Sequence, residues 1–397
     1  MDRFGEKVVC NPTTKLTKEK KCGFISMEMI KPGYKHVRGE AEVFNGQSGA
    51  KFSDGDVLMA RITPCLENGK ISRAKLPDDC KSGYGSTEFF VFRGMKGVTD
   101  TDYIYYLLNT DYMKQMAVNS MTGASGRQRA DIGFIKRIKW PFPSYDKQIE
   151  ISKVLNVYDD LIEKNLERIA LLEHVSEEIF REWFVRFRFP GHEREHFHDG
   201  IPTSWCIQRI EDFGRIETGK TPSMEIEQYY SDEIMFIKTP DMHGNTFVLS
   251  TEEMLSQLGS DSQPKKLLPA RSIMVTCIGT GGVVAINADR AHTNQQINSI
   301  VLKDDRYLEW LFFTCKRLKP TIELFGATGT TMTNLSKGKF SRLKIITPSE
   351  DLIIRFHEEV NDILERILIL QKENQELIRQ RDRLAKHLIY KDIVFEE

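Results

Sequence analysis

Net charge is almost absent from this chain: 56 basic residues face 57 acidic ones over 397 residues. Bulk electrostatics therefore do not make it a general polyanion binder, and any contact with nucleic acid has to come from local patches. Cysteine is sparse too. The seven cysteines are scattered, odd in number and without a C-x-x-C pair, which argues against a disulfide frame or a zinc ribbon and for a reducing, cytoplasmic setting. No signal peptide and no apolar run of membrane length appears. Also missing are a Walker phosphate loop, a cofactor loop and the Asn-Pro-Pro-aromatic motif of a base methyltransferase. The 40% hydrophobic and 28% charged content is ordinary for a chain of two or three domains.

What the sequence does have is a ten-position apolar ladder written twice. One copy runs Ile151, Leu155, Tyr158, Ile162, Asn165, Ile169, Leu172, Ser176, Ile179, Trp183; the other runs Phe356, Val360, Ile363, Ile367, Leu370, Asn374, Leu377, Arg381, Leu384, Leu388. Steps of four and three residues alternate, as on the seam of a coiled-coil helix. Every position in the second list is the first plus 205, and Pro143 and Pro348, ahead of each helix, keep the same offset. The chain is thus a tandem repeat of a globular unit followed by a long helix. An α+β fold is expected, with units over 1–145 and 201–345, helices over 146–189 and 346–390, a linker over 190–200 and a tail over 391–397.

Each seam carries one Asn, and a buried Asn favours a polar group opposite it. A parallel, in-register pair sets Asn165 against Leu370. An antiparallel pair sets Asn165 against Asn374, and Arg381 beside Tyr158, where the guanidinium can lie on the ring. The register therefore predicts an antiparallel coiled coil with a pseudo-twofold axis. A helix over 151–183 is about 48 Å long at 1.5 Å per residue.

Within the first unit, residues 56–62 and 88–93 read as strands and 101–118 as a helix; in the second, 272–278 and 298–303 read as strands and 306–319 as a helix. The correspondence is loose there and tightens at 135–139 against 340–344. The second unit opens with Ile201, Pro202 and Trp205 ahead of Phe213 and Gly214, whereas nothing of that kind precedes Phe4 and Gly5. The first copy then lacks this opening segment, or the tail after Leu388 supplies an equivalent.

Catalytic look-alikes are weak. His192, Glu193 and His196 match H-E-x-x-H, with His198 as a third ligand, but the motif needs a helix, and Pro190, Gly191 and Gly200 to Pro202 leave no room for one. Asp78 and Asp79 are adjacent in a turn rather than on two strands, as a nuclease cluster would need. The glycine-rich stretch at 278–282 lacks the Lys-Ser/Thr of a phosphate loop and reads as a tight turn.

Two basic patches fall at equivalent points of the repeat: Arg127, Arg129, Lys136, Arg137 and Lys139 in the first copy, and Lys337, Lys339, Arg342 and Lys344 in the second. Each follows small hydrogen-bonding residues (Thr122, Gly123, Ser125 and Gly126; Thr328, Gly329, Thr330 and Thr331) whose backbone N–H groups can meet a phosphate. One patch alone reads as a solvated face; two in register point to DNA. The candidates for DNA contact are Arg61, Lys70, Arg127, Arg129, Lys136, Lys139, Gln295, Gln296, Thr330, Lys337 and Lys339. The two glutamines can read adenine edges or serve a turn. Trp183, Phe184 and Phe187 form an aromatic end to the first helix and are candidates for docking another subunit.

The run from Trp183 to Glu193, followed by Ile201 to Trp205 and then Gly219, Lys220, Thr221 and Pro222, resembles the specificity (S) subunit of type I restriction-modification enzymes. Gly85 to Phe89 and Thr293 to Asn298 resemble the matching motifs inside each target-recognition domain. The likeness covers essentially the whole chain. It implies a non-catalytic subunit that reads a bipartite double-stranded DNA target, one half per globular unit, with the paired helices fixing the spacing. It also implies docking of two modification (methyltransferase) subunits and, through them, of restriction (translocase and nuclease) subunits. S-adenosylmethionine, ATP and Mg would belong to those partners, with no cofactor in this chain. The alternative is a coiled-coil scaffold that joins proteins and touches no DNA.

Overall fold

The structure, a computed structural model, describes residues 1–124, 126–326 and 333–391. It contains two compact units: Met1–Lys164 with Asn374–Glu397, and Asn165–Glu373. The boundaries fall at the two seam asparagines, so each long helix contributes one half to each unit. These helices run Tyr145–Phe184 and Glu350–Tyr390, several residues beyond the ladders that predicted them. No described helix is long and apolar enough to cross a membrane.

The first unit holds a five-stranded sheet in the order Val8–Cys10, Phe89–Gly94, Val57–Ala60, Ile71–Lys75, His36–Arg38. All neighbours are antiparallel except the last pair, which is parallel. Val57–Ala60 is buried along its whole length, as expected for a central strand covered on both faces. A four-stranded sheet follows the order Glu40–Phe44, Lys20–Ile25, Ser82–Gly85, Ala50–Ser53, with its inner pair parallel. The helix read over 101–118 is two helices, Thr101–Leu108 and Asp111–Asn119; Asn109 ends the first, and the Thr110 hydroxyl caps the second by accepting from the Met113 N–H. Its buried face, with Tyr103, Tyr105 and Tyr106, joins Ile151, Leu155, Ala385 and Ile389 of the long helices in one core.

The second unit repeats the larger sheet strand for strand. Its larger sheet runs Gly214–Thr218, Ile297–Leu302, Ile273–Thr276, Val284–Asn287, Phe247–Val248, again with only the last pair parallel. The smaller sheet departs from the first unit's: its order is Tyr230–Ser231, Met254–Leu255, Ile234–Ile237, Ala291–Thr293, which puts the parallel pair, Ile234–Ile237 with Ala291–Thr293, at the edge. Leu308–Arg317 covers the core, where Trp310, Phe312 and Phe313 meet Ile169, Phe180, Phe356, Val360 and Leu364.

The opening segment is one place where the sequence comparison misaligned the copies. Asp2–Arg3 pairs with Lys139–Trp140 as Cys206–Arg209 pairs with Lys344–Thr347. The Phe4 N–H donates to the Ile138 carbonyl as Ile210 does to Leu343, so Phe4 corresponds to Ile210 and not to Phe213. Both are completely buried anchors, and it is this shared burial, not the Phe-Gly dipeptide, that the repeat preserves. A short strand equivalent to that of the second unit is therefore present; the tail beyond Lys391 lies outside the described residues.

Candidate nucleic-acid interface

In the first unit the strands Val57–Ala60 and Phe89–Gly94 pair with Ala60 opposite Phe89, which makes Arg61 and Glu88 the next rung. The Arg61 N–H donates to the Glu88 carbonyl at 2.9 Å, and Ala130 N–H donates to the Arg61 carbonyl at 2.8 Å, which brings the 122–130 loop alongside. Glu88 then receives two guanidinium groups, one bond from Arg61 Nε at 3.0 Å and a fork from Arg129 Nε and Nη2 at 3.0 and 2.7 Å. The Arg129 bonds, with those of Arg61, hold the Glu88 carboxyl below the usual carboxylate range. The two arginines are more open to solvent than the carboxylate that orients them, 47% and 34% against 19%. Beside Thr87, a cavity of about 480 Å³ is lined by Asn11, Thr13, Thr14, Lys51 and Phe89. The Thr14 hydroxyl is buried and has no hydrogen-bond partner among the described residues.

The second unit builds the same rung with other chemistry. Cys277 N–H donates to the Gln296 carbonyl at 2.7 Å, and Leu335 N–H donates to the Cys277 carbonyl at 2.9 Å. Thus Cys277, Gln296 and Asn334 stand where Arg61, Glu88 and Arg129 stand in the first. Gln296 Oε1 accepts from Asn294 Nδ2 at 3.1 Å and Thr239 Oγ1 at 3.3 Å, while Gln295 Oε1 accepts from Thr221 Oγ1 at 2.8 Å.

Of the other candidates, Arg127, Lys136 and Lys139 are exposed on the stretch that follows Arg61's loop. Lys70 reaches the Met27 carbonyl at 2.9 Å, a structural contact. Lys337 and Lys339 lie on the short helix Lys337–Ser341, the counterpart of Ile132–Arg137; Lys337 shares Glu217 with Lys266 and Arg215. Ser125, Thr328, Gly329, Thr330 and Thr331 lie outside the described residues.

Two expectations change, and a third, the missing helix at H-E-x-x-H, is met. Arg381 is buried, but its bonds among the described residues go to Asp159, Asp382 and the Gly33 carbonyl rather than to Tyr158, because a carboxylate one residue along the helix neutralises a buried cation and a ring does not. The aromatics Trp183, Phe184 and Phe187 are half-buried and stack on rings of their own unit: Trp183 and Phe184 on Phe356 at 5.6 and 4.9 Å, Phe187 on Trp205 at 5.2 Å. That internal use accounts for rings in excess of the seam. Finally, His192–Arg194 is a single 3-10 turn ending in extended Glu195, so the H-E-x-x-H residues do not share a helix face.

Sequence reading missed a polar stripe one residue past the seam that holds each domain to the helix behind it. In the first unit Ser152 bonds Asp100 at 2.6 Å, and Asn156 donates to Asp102 at 3.1 Å, with Lys35 and Arg73 closing on Asp102. Burial would raise the Asp102 pKa, but Arg73 and Lys35 bring it down to about 2. In the second, His357 bonds Glu309 at 2.7 Å and Asn361 accepts from Arg271 at 3.2 Å. Ser152 and His357, like Asn156 and Asn361, lie 205 apart, so the offset itself was the available signal. Arg271 sits at a left-handed turn, φ 65°, where the first unit has Gly55 at φ 81°. There Arg73, from the adjacent strand, brings the guanidinium by donating to the Gly55 carbonyl. The same charge is delivered from two different places.

A duplicated α+β module, with charged or amide side chains gathered at one loop edge of each copy and a helix behind each, defines a tandem-domain recognition protein. The chain belongs to the family described as "Type I restriction modification DNA specificity domain", which matches residues 7–174 and again 202–378. It is 28% identical, over 88% of both chains, to the type I restriction enzyme HindI specificity subunit of Haemophilus influenzae. To the MjaIX specificity subunit of Methanocaldococcus jannaschii it is 24% identical, over 87% of this chain and 79% of that one. In fold it is similar to the type I restriction-modification S subunit from M. genitalium, with a TM-score of 0.51 at 14% identity over 98% of this chain and 95% of the other. The chain is a DNA-recognition subunit of the type I specificity class.

Proposed function

We propose that each unit reads one half of a split double-stranded DNA target and that the two long helices pair as an antiparallel coiled coil whose length sets the distance between the halves. The carrying observation is the repeated rung: one sheet topology presents, at one edge, different side chains in the two copies. Local contacts support the helix pairing. In the first unit Asn374 reaches the Ile162 carbonyl and Arg381 reaches Asp159, so numbers rise on one helix as they fall on the other. In the second, Trp183 meets Phe356, the pair that the antiparallel register requires. A 48 Å spacer corresponds to about fourteen base pairs at 3.4 Å each.

Exposed apolar side chains support the central helix as the docking surface for modification subunits. Val154, Val157 and Leu161 in the first unit, and Leu171 and Val175 in the second, face solvent. At the equivalent distal positions stand Glu359, Asp362, Arg366, Glu376 and Gln380. Val157→Asp and Leu171→Asp should weaken assembly with the modification subunit at least tenfold, read by sedimentation, without lowering the melting temperature; unchanged assembly would place docking elsewhere. In this reading the chain acts in the cytoplasm and supplies recognition and scaffolding. The modification subunits bring S-adenosylmethionine and methylation, and the restriction subunits bring ATP, Mg and cleavage. Binding of the chain with its modification subunit to duplex DNA, measured against salt, tests the whole: binding that weakens steeply with salt is expected, and no binding in that mixture rejects it.

A further inference from the structure

We propose that the two units read different base pairs at their common edge: the first a G·C pair through Arg61, Glu88 and Arg129, the second an A·T pair through Gln295, Gln296 and Asn334. This rests on the half-site reading above and goes beyond it by assigning the base class to each unit.

The positions are equivalent by backbone hydrogen bonding, not by sequence. Arg61 and Cys277 each donate to the residue preceding an inner strand of the larger sheet, Phe89–Gly94 or Ile297–Leu302, and each accepts from the incoming loop, at Ala130 and Leu335. Only the side chains differ. In the first unit the groups are two guanidinium groups and a carboxylate. A guanidinium matches the paired acceptors O6 and N7 of guanine, and a carboxylate accepts from the amino group of cytosine. Both preferences describe the same base pair. Glu88 also holds both guanidinium groups, so the donors are oriented before DNA arrives, which lowers the entropic cost of binding. The adjoining cavity, with its unpartnered Thr14 hydroxyl and Lys51, supplies a further donor at the same edge.

In the second unit the charge is gone: Cys277 is buried, and the remaining groups are carboxamides. A carboxamide presents one donor and one acceptor side by side, the complement of adenine N7 and N6. Thr221 donates to one lone pair of the Gln295 oxygen and leaves the other for adenine N6, whereas Asn294 and Thr239 together occupy both on Gln296, which keeps only its N–H groups, to donate to N7. These bonds set the amides in a fixed orientation and leave their N–H groups for a base.

The test is selection by the chain assembled with its modification subunit from duplexes in which every position is randomised. For the native chain, a split target with a G·C pair in one half and an A·T pair in the other is expected. Arg61→Ala or Arg129→Ala should reduce discrimination at one G·C position about ten- to a hundredfold and leave the other half untouched. Gln295→Ala or Gln296→Ala should do so at one A·T position in the opposite half. Arg129→Lys and Gln295→Glu, each shown by melting to be folded, repeat the test without truncation. Relaxation of an A·T position by an arginine variant, or of the same half by both classes, overturns the proposal. So does a uniform loss on all sequences with a shallower salt dependence, since that marks a phosphate contact. If the native assembly enriches no sequence, the half-site reading itself fails, a separate outcome.

Discussion

Outside the proposed DNA edge, Arg381 carries a stability test. It is nearly fully buried, with Asp159 as its partner inside the first unit. Removing one member of such a pair leaves a charge without water or counter-ion. Arg381→Leu should cost about 3–5 kcal/mol, and Arg381→Leu with Asp159→Leu should recover most of it, as read from denaturant melts; equal losses in the single and double variants would show that the pair is not the source. His292 offers a pH test in the second unit. Its ring is buried between Ser260 and Gln263, and burial pushes its pKa down from the ordinary 6.5 to about 4. The unfolded chain therefore takes up the proton first. This contribution to stability is complete above pH 6.5, is lost as pH falls from 6.5 toward 4, and is level below that. In His292→Gln the acid-side slope should be shallower by up to one proton across that window; identical slopes would place the titration elsewhere. Arg61 and Arg129 were readable as candidates because they are basic. Glu88, which joins them, was not, because nothing local in the sequence shows that residues 27 and 41 positions away converge on it.

At the scale of elements, the long helices were the most legible part of the chain, since a seam repeats every turn or two and reports itself many times. Sheet order was not legible. Val8 corresponds to Gly214, Ala60 to Thr276, Phe89 to Ile297 and Ile132 to Lys337. The offset therefore drifts from 206 to 216 and back through 208 to 205 as loops lengthen and shorten between strands. A fixed offset finds helices and misses strands. The helix read over 101–118 failed for a local reason, since Asn109 and Thr110 serve caps better than helix interior. The antiparallel register makes its own prediction through Asn165 and Asn374, both buried. Either Asn→Leu substitution alone should destabilise the coil by about 1–2 kcal/mol and both together by less than the sum; strict additivity in thermal melts would exclude the pairing.

For the whole molecule, two domains that share an architecture but not an edge chemistry suit a target with two unlike halves. In the proposed reading the helices decide how far apart those halves lie. The clamps at Asn156 and Asn361 matter here, because a spacer measures distance only if each domain is held firmly to its helix. The most direct measurement inserts seven residues, a whole heptad, between Lys164 and Asn165 and between Asn374 and Gln375, so the seam is kept. Each helix grows by about 10.5 Å, or about three base pairs of DNA. Methylation-site mapping of a cell carrying this variant should return both original half-sites separated by about three more base pairs. Unchanged spacing would contradict the helices as the ruler.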